Sequence, residues 1–442
     1  MSTGNRKHAT LLAALLAAVF ACSLAYTFGF RIQPKVDARW YDTIAWNLAR
    51  GKGFRLLDSG ALADDPAIGT VGPGYEYVLA GVYGIFGHHL EPVWILQSLL
   101  HTLNALFVFL LARRVIPESP RRFFFAFLAA ALYGLNPDLI LMAAMLFTET
   151  LYLTLLLLAA LGMSACAADP TARTTLATGA VLACAILVRP IALVALAIFL
   201  VFLAVKKKPV WILGVLTIQL VFIGPWALRN TSLYGRFIPL TAAGGYDLWV
   251  GNNPDANGEE IPAKVVSDYK DQYGFLQADR YGAEQYVKFL REDPFSFVWL
   301  QAIKTVKFFS VIRTSAWWFH LSGIARGLTF FFSAGFFFVL LLLGIPGICS
   351  ALRNGPAPAR ILSLLALAVP AAVIPIVVTS RLRYPMYPFL AILGALAAYR
   401  YREGEISRRS ILLSAGLIAA ITLLDILISA PEIPDRILRL FS

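Results

Sequence analysis

The chain has 442 residues, of which 59% are hydrophobic and only 14% are charged, and its mean hydropathy is +0.70. This composition excludes an ordinary soluble enzyme, in which about a quarter of the residues are charged. The formal charge of +12 would suit a nucleic-acid-binding protein. However, the basic residues stand in twos and threes beside apolar runs, as is typical of membrane topology. We therefore expect a membrane protein with no nucleic-acid partner.

Apolar segments long enough to cross a bilayer, which takes about 20 residues, repeat along the chain. Strands of a membrane barrel would alternate in polarity, whereas these segments are continuously apolar. The segments therefore favour helices. We predict an all-α polytopic bundle of about eleven transmembrane helices. The predicted spans are residues 9–30, 93–112, a span from 123 kinked at Asn136-Pro137, 151–167, two short spans meeting at Arg189-Pro190, 210–226, 327–350, 361–379, 384–399 and 411–429.

The basic clusters set the orientation of these spans. With Arg6 and Lys7 on the cytoplasmic side, a first outer loop covers 31–92 and contains an interfacial helix at 75–86. The only large polar region, 227–326, then forms a small mixed domain at the outer face, and the C-terminus ends outside. The predicted organisation is an N-terminal transmembrane module (1–226), this outer loop domain (227–326) and C-terminal transmembrane helices (327–442).

Four arginines lie at predicted outer ends of spans, against the usual bias: Arg189, Arg229, Arg381 and Arg383. Cations at membrane depth usually have a partner, and an anionic partner at this face suggests a lipid phosphate or a carboxylate. The alternative is that these side chains extend to lipid headgroups or pair with local acids.

Carboxylates gather on the same outer side. Asp37 opens a segment whose apolar residues repeat at helical spacing, so it lies in the first turn of an amphipathic helix, where a plain N-cap is the alternative role. Asp42 falls on the polar face of that helix, where simple solvation is the alternative. Glu149 sits where a span begins, and an ionised carboxylate there is costly unless it is paired or functional.

Other polar residues have structural explanations. Gln97, His101 and Asn104 form one stripe of a predicted span and are expected to hydrogen-bond between helices. His88-His89 lacks carboxylates at metal-ligand spacing. The four cysteines lie within apolar runs and are interpreted as small core residues: Cys22, Cys166, Cys184 and Cys349.

Four segments follow one another in an order typical of one enzyme superfamily. They are Asp37-x3-Tyr41-x3-Ala45-x-Asn47-Leu48-x2-Gly51-x-Gly53; Phe147-Thr148-Glu149-Thr150; Pro225-Trp226-x2-Arg229-Asn230 with Gly244-Gly245 and Gly251-Asn252-Asn253-Pro254; and Arg381-x-Arg383-Tyr384 with Pro388. With them the chain resembles the GT-C superfamily of polyprenyl-phosphate-sugar-dependent glycosyltransferases, specifically the glycosyltransferase family 39-like relatives of protein O-mannosyltransferases and aminoarabinose transferases.

The resemblance implies roles for particular residues. Asp37 corresponds to a catalytic base or acceptor-positioning carboxylate, and Glu149 to a second acidic residue of the site. Substrate contacts are expected from Tyr41, Asp42, Gly244, Gly245, Asn252, Asn253 and Tyr384. The chain departs from the aminoarabinose branch at Gly72 and lacks a match to its zinc ligands. No cofactor is required, although Asp37 and Glu149 could share a divalent metal if they converge.

An outer-face transferase must take its sugar from a carrier within the membrane, because nucleotide sugars are cytoplasmic. The resemblance therefore implies a polyprenyl-phosphate donor, a lipid, glycan or protein acceptor, an inverting displacement and a place in the bacterial cytoplasmic membrane. The four arginines are then candidates for binding the donor phosphate. A transporter or flippase for lipid-linked substrates is the alternative function, and a scaffold for envelope assembly is a third.

Overall fold

The computed structural model describes residues 3–70, 72–260, 262–312 and 318–430, and all regular elements in these ranges are helices. The α-helices are α1 (Thr3–Phe30), α2 (Asp37–Ala49), α3 (Gly74–Phe86), α4 (Leu90–Val115), α5 (Arg122–Gly134), α6 (Pro137–Ala144), α7 (Glu149–Ala168), α8 (Ala172–Val188), α9 (Ala192–Val205), α10 (Pro209–Tyr234), α11 (Gly244–Gly251), α12 (Lys264–Glu292), α13 (Pro294–Phe309), α14 (Gly323–Asn354), α15 (Ala357–Val373), α16 (Tyr387–Arg402) and α17 (Arg408–Ser429). Short 3₁₀ helices lie at Leu62–Asp64, Pro66–Gly69 and Ser380–Met386.

The helical, multi-pass membrane character is confirmed. Six of the described helices are long and apolar enough to span a bilayer, namely α1, α4, α7, α10, α14 and α17, and α5 with α6 forms one further candidate bent by 51°. Each predicted span coincides over most of its length with a helix or with this bent pair, although 361–379 runs six residues past the end of α15 and 384–399 begins in the 3₁₀ helix before α16. The count of eleven is not confirmed, because α8, α9, α15 and α16 have only 14 to 17 residues, fewer than the about 20 residues of a typical crossing. The predicted outer location of the C-terminus concerns residues 431–442, outside the described ranges.

In the described part of the region predicted as the outer loop domain, all regular elements are helices, so the strands that a mixed domain would contain are not found there. The helix α11 packs on α12 so closely that a Cβ atom added to Gly245 would lie 1.9 Å from the carbonyl oxygen of Asp279. The helix α12 is broken at Gly274, whose φ of 77° is readily adopted only by glycine. Close contact between helices therefore organises this part of the region.

The polar stripe of α4 joins three helices, as predicted. Gln97 donates hydrogen bonds to the carbonyl oxygens of Ala143 and Met145, and His101 lies 3.0 Å from the carbonyl oxygen of Gly134. Asn104 reaches the carbonyl oxygen of Thr150. His101 thus lies against a carbonyl group at the break between α5 and α6, and Gln97 satisfies two carbonyl groups near the break between α6 and α7, which would otherwise be unpaired in lipid. They thereby fix the start of α7, where Glu149 lies.

Candidate active site

Asp37 is the first residue of α2, the helix that the sequence predicted at the outer end of α1. The helix buries one face, which includes Tyr41, Ile44 and Ala45, and Tyr41 contacts the Tyr75 ring of α3 edge to face. A carboxylate in the first helical turn is stabilised by the helix dipole. The side chain of Asp37 stays 33% exposed, so its carboxylate is held in place and remains accessible.

Arg381 forms an ion pair with Asp37, although the two residues are 344 positions apart in the sequence. Its Nη2 atom lies 2.7 Å from Oδ2 of Asp37 and 3.4 Å from Oε1 of Glu260, and its guanidinium lies 5.3 Å from the centre of the Phe147 ring. Burial lowers the pKa of Arg381, but the charges of Glu260, Asp37 and Glu149 raise it further, so the net direction is upward. The guanidinium therefore stays charged while it is buried.

A second ion pair lies beside the first. Nη1 of Arg189 is 2.6 Å from Oε1 of Glu149 and donates a hydrogen bond to Thr148 at 2.8 Å. Glu149 begins α7 and Arg189 follows the last residue of α8, so each charge faces the helix end of opposite polarity. Because Pro190 disfavours helical geometry at the preceding residue, α8 ends where Arg189 can turn toward Glu149.

Tyr41 connects the two pairs. Burial and the charge of Asp37 raise the pKa of Tyr41 well above its ordinary value, with a further contribution from Glu149, whereas Arg381 and Arg189 lower it. The charges of all four groups therefore act on the phenol of Tyr41. The structure therefore brings four charged residues into one cluster, formed by the starts of α2 and α7, the end of α8 and the 3₁₀ helix before α16: Asp37, Glu149, Arg189 and Arg381.

The other two candidate phosphate-binding arginines face elsewhere in the described structure. Arg383 donates hydrogen bonds to the carbonyl oxygens of Phe308 and Ser310 and stacks on Phe337. Its divergence from Arg381 follows from the 3₁₀ helix, in which residues two apart point about 120° away from each other. Arg229 stacks on Trp226 and Phe54. The phosphate-binding roles of both arginines remain predictions.

Asp42, a predicted substrate contact, lies on the side of α2 that faces α3. Its carboxylate accepts a hydrogen bond from the hydroxyl of Tyr83 and lies 2.9 Å from Nε2 of His88. The His88 ring stacks on Trp46. These contacts join the two outer helices, and a role in substrate binding remains a prediction.

The glycine- and asparagine-rich motif forms the framework of the outer region. Asn252 donates hydrogen bonds to the carbonyl oxygens of Pro375 and Ile376, and Asn253 donates to those of Trp249 and Val250. Gly244 is exposed, whereas Gly245 packs against α12. Tyr384 is buried beside the Tyr387 ring. Substrate binding by these residues, as the resemblance implies, remains a prediction.

The structure adds residues that the sequence did not single out. Glu260 contacts Arg381, Phe147 lies against the same guanidinium, and Asp247 of α11 is close enough for the charges of Glu260 and Asp37 to act on it. The only available signal for Glu260 was its position six residues after Pro254 of the outer motif. Since its partner lies 121 residues away, the pairing itself had no local signature.

A shared metal ion at Asp37 and Glu149 remains an untested alternative. Within the described residues, no three or more His, Cys, Asp or Glu side chains form a group able to hold a metal ion. Each of the two carboxylates faces a guanidinium, at 2.7 Å and 2.6 Å respectively. The arrangement can hold an anion near Arg381 and place a proton acceptor next to it, and the absence of a required cofactor remains a prediction.

Asp247 makes the stability of this region depend on pH. Burial, followed by the charges of Glu260 and Asp37, raises the pKa of Asp247 to about 7. The folded state favours the protonated form of the Asp247 carboxyl. The contribution of this group to the free energy of unfolding is therefore fully present below about pH 4 and is lost as the pH rises through about 7. We expect the Asp247→Asn variant to melt at a higher temperature than the wild type near about pH 8, and the difference to shrink near about pH 5.

Thermal unfolding of the purified protein in detergent measures this effect. Asp268→Asn removes an exposed carboxylate from α12 and is the matched control. An Asp247→Asn variant whose melting temperature follows that of the wild type at both pH values would contradict the expectation.

Comparisons with known proteins agree with this architecture. The model of the dolichyl-phosphate-mannose-protein mannosyltransferase family matches residues 70–228, a region that contains Glu149 and Arg189. The structure of ArnT from Cupriavidus metallidurans bound to undecaprenyl phosphate is 18% identical, with a TM-score of 0.50 over 96% of this chain and 65% of that one. No protein of curated function matches the chain in sequence.

Two further structures are similar. The archaeal oligosaccharyltransferase AglB from Archaeoglobus fulgidus, in complex with an inhibitory peptide and a dolichol-phosphate, is 15% identical, with a TM-score of 0.49 over 95% of this chain and 55% of that one. ArnT from Cupriavidus metallidurans in the apo state is 15% identical, with a TM-score of 0.38 over 91% and 79%.

The fold is that of a polytopic helical membrane protein and is GT-C-like, similar to that of ArnT. The resemblance to GT-C polyprenyl-phosphate-sugar-dependent glycosyltransferases, which the sequence motifs indicated, is confirmed by the family match together with this fold. The chain spans 65% of the lipid-bound ArnT chain.

Proposed function

We propose that the protein is a membrane glycosyltransferase that moves a sugar from a polyprenyl-phosphate carrier to an acceptor hydroxyl. The ion pair between Asp37 and Arg381, at 2.7 Å, carries this proposal. It places a carboxylate that can accept a proton beside a guanidinium that can bind a phosphate. The carrier is proposed from the GT-C fold, and from the undecaprenyl phosphate and dolichol-phosphate bound to ArnT and AglB.

In the proposed reaction, the acceptor oxygen attacks the anomeric carbon as the bond from that carbon to the phosphate oxygen breaks. The acceptor proton passes to Asp37, and the departing phosphate keeps the bonding electron pair. Direct displacement of this kind inverts the anomeric centre. During the step the phosphate gains one negative charge and Asp37 loses one, so the attraction of Arg381 moves from the carboxylate to the phosphate.

Glu149 and Arg189 have a supporting role in this proposal. The Glu149 carboxylate is 1% exposed and tied to Arg189, so it is poorly placed to exchange protons with an acceptor. Its charge acts on both Arg381 and Tyr41. We assign the pair to shaping the electrostatic field around Asp37.

The site is proposed to face the outside of the bacterial cytoplasmic membrane, since nucleotide sugars are confined to the cytoplasm. A phosphate tethered in the bilayer then presents its sugar to Asp37, which opens the juxtamembrane helix α2. Both hexosyl and pentosyl donors fit this chemistry, and the acceptor is a hydroxyl of a lipid, glycan or protein.

A transfer assay tests the proposal. The purified protein in liposomes is incubated with radiolabelled polyprenyl-phosphate sugars and extracted envelope acceptors, and we expect label to move to an acceptor while free polyprenyl phosphate is released. The same vesicles measure movement of a fluorescent polyprenyl phosphate between leaflets. Lipid movement without sugar transfer would instead support the flippase alternative.

A further inference from the structure

A single nitrogen of Arg381 contacts two carboxylates that come from distant parts of the chain. Nη2 lies 2.7 Å from Asp37 at the start of α2 and 3.4 Å from Glu260 in the outer region. The arginine side chain is only 10% exposed, whereas the two carboxylates are 33% and 35% exposed. Arg381 is therefore the buried centre of a triad whose two acidic members are both partly exposed.

Glu260 is held in place by its neighbours in sequence. The adjacent Glu259 forms an ion pair with Lys307 of α13 at 2.6 Å, and these two side chains are only 5% and 4% exposed. The preceding Gly258 has a φ of +87°, and a Cβ atom there would lie 3.0 Å from a methyl group of Ile303. The backbone before Glu260 thus rests directly on α13.

The same helix α13 also holds the segment before Arg381. Lys304, one turn before Lys307 and fully buried, donates hydrogen bonds to Oδ1 of Asn252 at 2.7 Å and to the carbonyl oxygen of Ile376 at 3.0 Å. Two lysines on one face of α13 therefore connect the outer motif with the chain that leads to Arg381. Because α13 contacts both segments, it fixes the distance between Glu260 and Arg381.

The two carboxylates on Arg381 differ in what happens to them during the proposed transfer. Asp37 takes up a proton and loses its charge, so its attraction for Arg381 falls when the phosphate charge is greatest. Glu260 is not needed to accept that proton and keeps its charge. Within the described residues, the ionisable groups that interact electrostatically with members of this triad include Glu149, Asp247, Tyr41 and Tyr246.

We propose that Glu260 is a positioning residue that keeps Arg381 at the phosphate when Asp37 becomes neutral. This inference rests on the proposed glycosyltransferase function for its role in the reaction. The anchoring itself depends only on the contacts between Glu260 and Arg381, and it can be measured without any transfer.

Chemical modification tests the anchoring. The full-length protein in phospholipid nanodiscs is treated with phenylglyoxal, which reacts with accessible guanidinium groups, and the modified peptides are quantified by mass spectrometry. The Asp37→Asn variant mimics the neutral form of Asp37, and we expect Arg381 to stay protected in it. Adding Glu260→Gln should raise the modification rate of Arg381 about tenfold, as expected for the loss of two coupled anchors.

Two controls keep this result specific. Arg383, whose contacts lie with Phe308, Ser310 and Phe337, should be modified at the same rate in every variant. Asp268→Asn, combined with Asp37→Asn, removes an exposed carboxylate from the same region and should leave Arg381 protected. Equal protection of Arg381 with and without Glu260 in the Asp37→Asn background would overturn the proposal.

Transfer kinetics then test the role in the reaction. We expect Glu260→Gln to lower kcat about tenfold with a smaller change in the donor KM, because the lost contact matters most after the proton has moved. Glu260→Asp should recover part of the rate, since it keeps the charge. A wild-type protein that transfers no sugar would remove the proposed function, while the modification rates would still decide whether Glu260 anchors Arg381.

Discussion

Replacement of Asp37 by Asn is expected to lower kcat for sugar transfer by roughly 10²–10⁴-fold, the usual contribution of a positioned general base. The amide keeps the size of the side chain but cannot accept the acceptor proton. Arg381 retains Glu260 as a partner at 3.4 Å, and Asp37 is one third exposed, so the fold should persist. Initial rates with labelled donor, together with thermal unfolding of the same preparation, measure both quantities.

The matched control for this variant is Asp58→Asn. Asp58 lies in the same predicted outer loop, and its exposed carboxylate forms an ion pair with Lys52. The control variant should transfer sugar at the wild-type rate. Full activity of a well-folded Asp37→Asn protein would remove Asp37 as the base, and the reaction proposed above would lose its proton acceptor.

The second prediction is a large loss of folding stability when the buried ion pair of Glu149 and Arg189 is broken. Replacing Arg189 by Met leaves the Glu149 carboxylate, which is 1% exposed, without its guanidinium partner. Breaking a buried ion pair on one side typically costs about 3–5 kcal/mol of stability, because an uncompensated charge remains in a low-dielectric environment. Thermal or denaturant unfolding in detergent should show this loss clearly.

The double variant Glu149→Gln with Arg189→Met removes both charges and should recover much of the lost stability. An exposed pair provides the comparison: Arg121 and Glu403 are 51% and 36% exposed, and Arg121→Gln should cost no more than about 1 kcal/mol. If Arg189→Met lowers the free energy of unfolding no more than Arg121→Gln does, the buried pair contributes little to stability. A stable but inactive double variant would instead give Glu149 a part in the chemistry.

Local patterns were sufficient to predict most of the helices. The apolar repeats within 37–48 predicted α2, and the Asn136-Pro137 and Arg189-Pro190 steps predicted the breaks between α5 and α6 and between α8 and α9. In each case a few neighbouring residues set the preferred backbone geometry. The span count was harder to establish, since several apolar helices are shorter than a full bilayer crossing.

The candidate site was predicted only in part. Glu149, Arg189 and Arg381 could be selected because charges at span ends are costly without a partner. Asp37 could be selected because it begins an amphipathic helix within a motif that resembles the superfamily. Their actual partners could not be predicted, and Arg383 was grouped with Arg381 although the 3₁₀ turn directs it toward Phe308 and Ser310. Charge and position along the chain do not reveal the direction of a side chain within an irregular turn.

The sequence by itself determined that this protein is a helical membrane protein with an acidic residue, Asp37, at the start of the amphipathic helix that follows the first span. Hydropathy and periodicity are properties of neighbouring residues and need no knowledge of the fold. Only the tertiary structure decided that Arg381 stands between Asp37 and Glu260, and that Arg189 belongs to Glu149. Ion pairs form at separations of about 3–4 Å, and the packing of helices distant in sequence sets those separations.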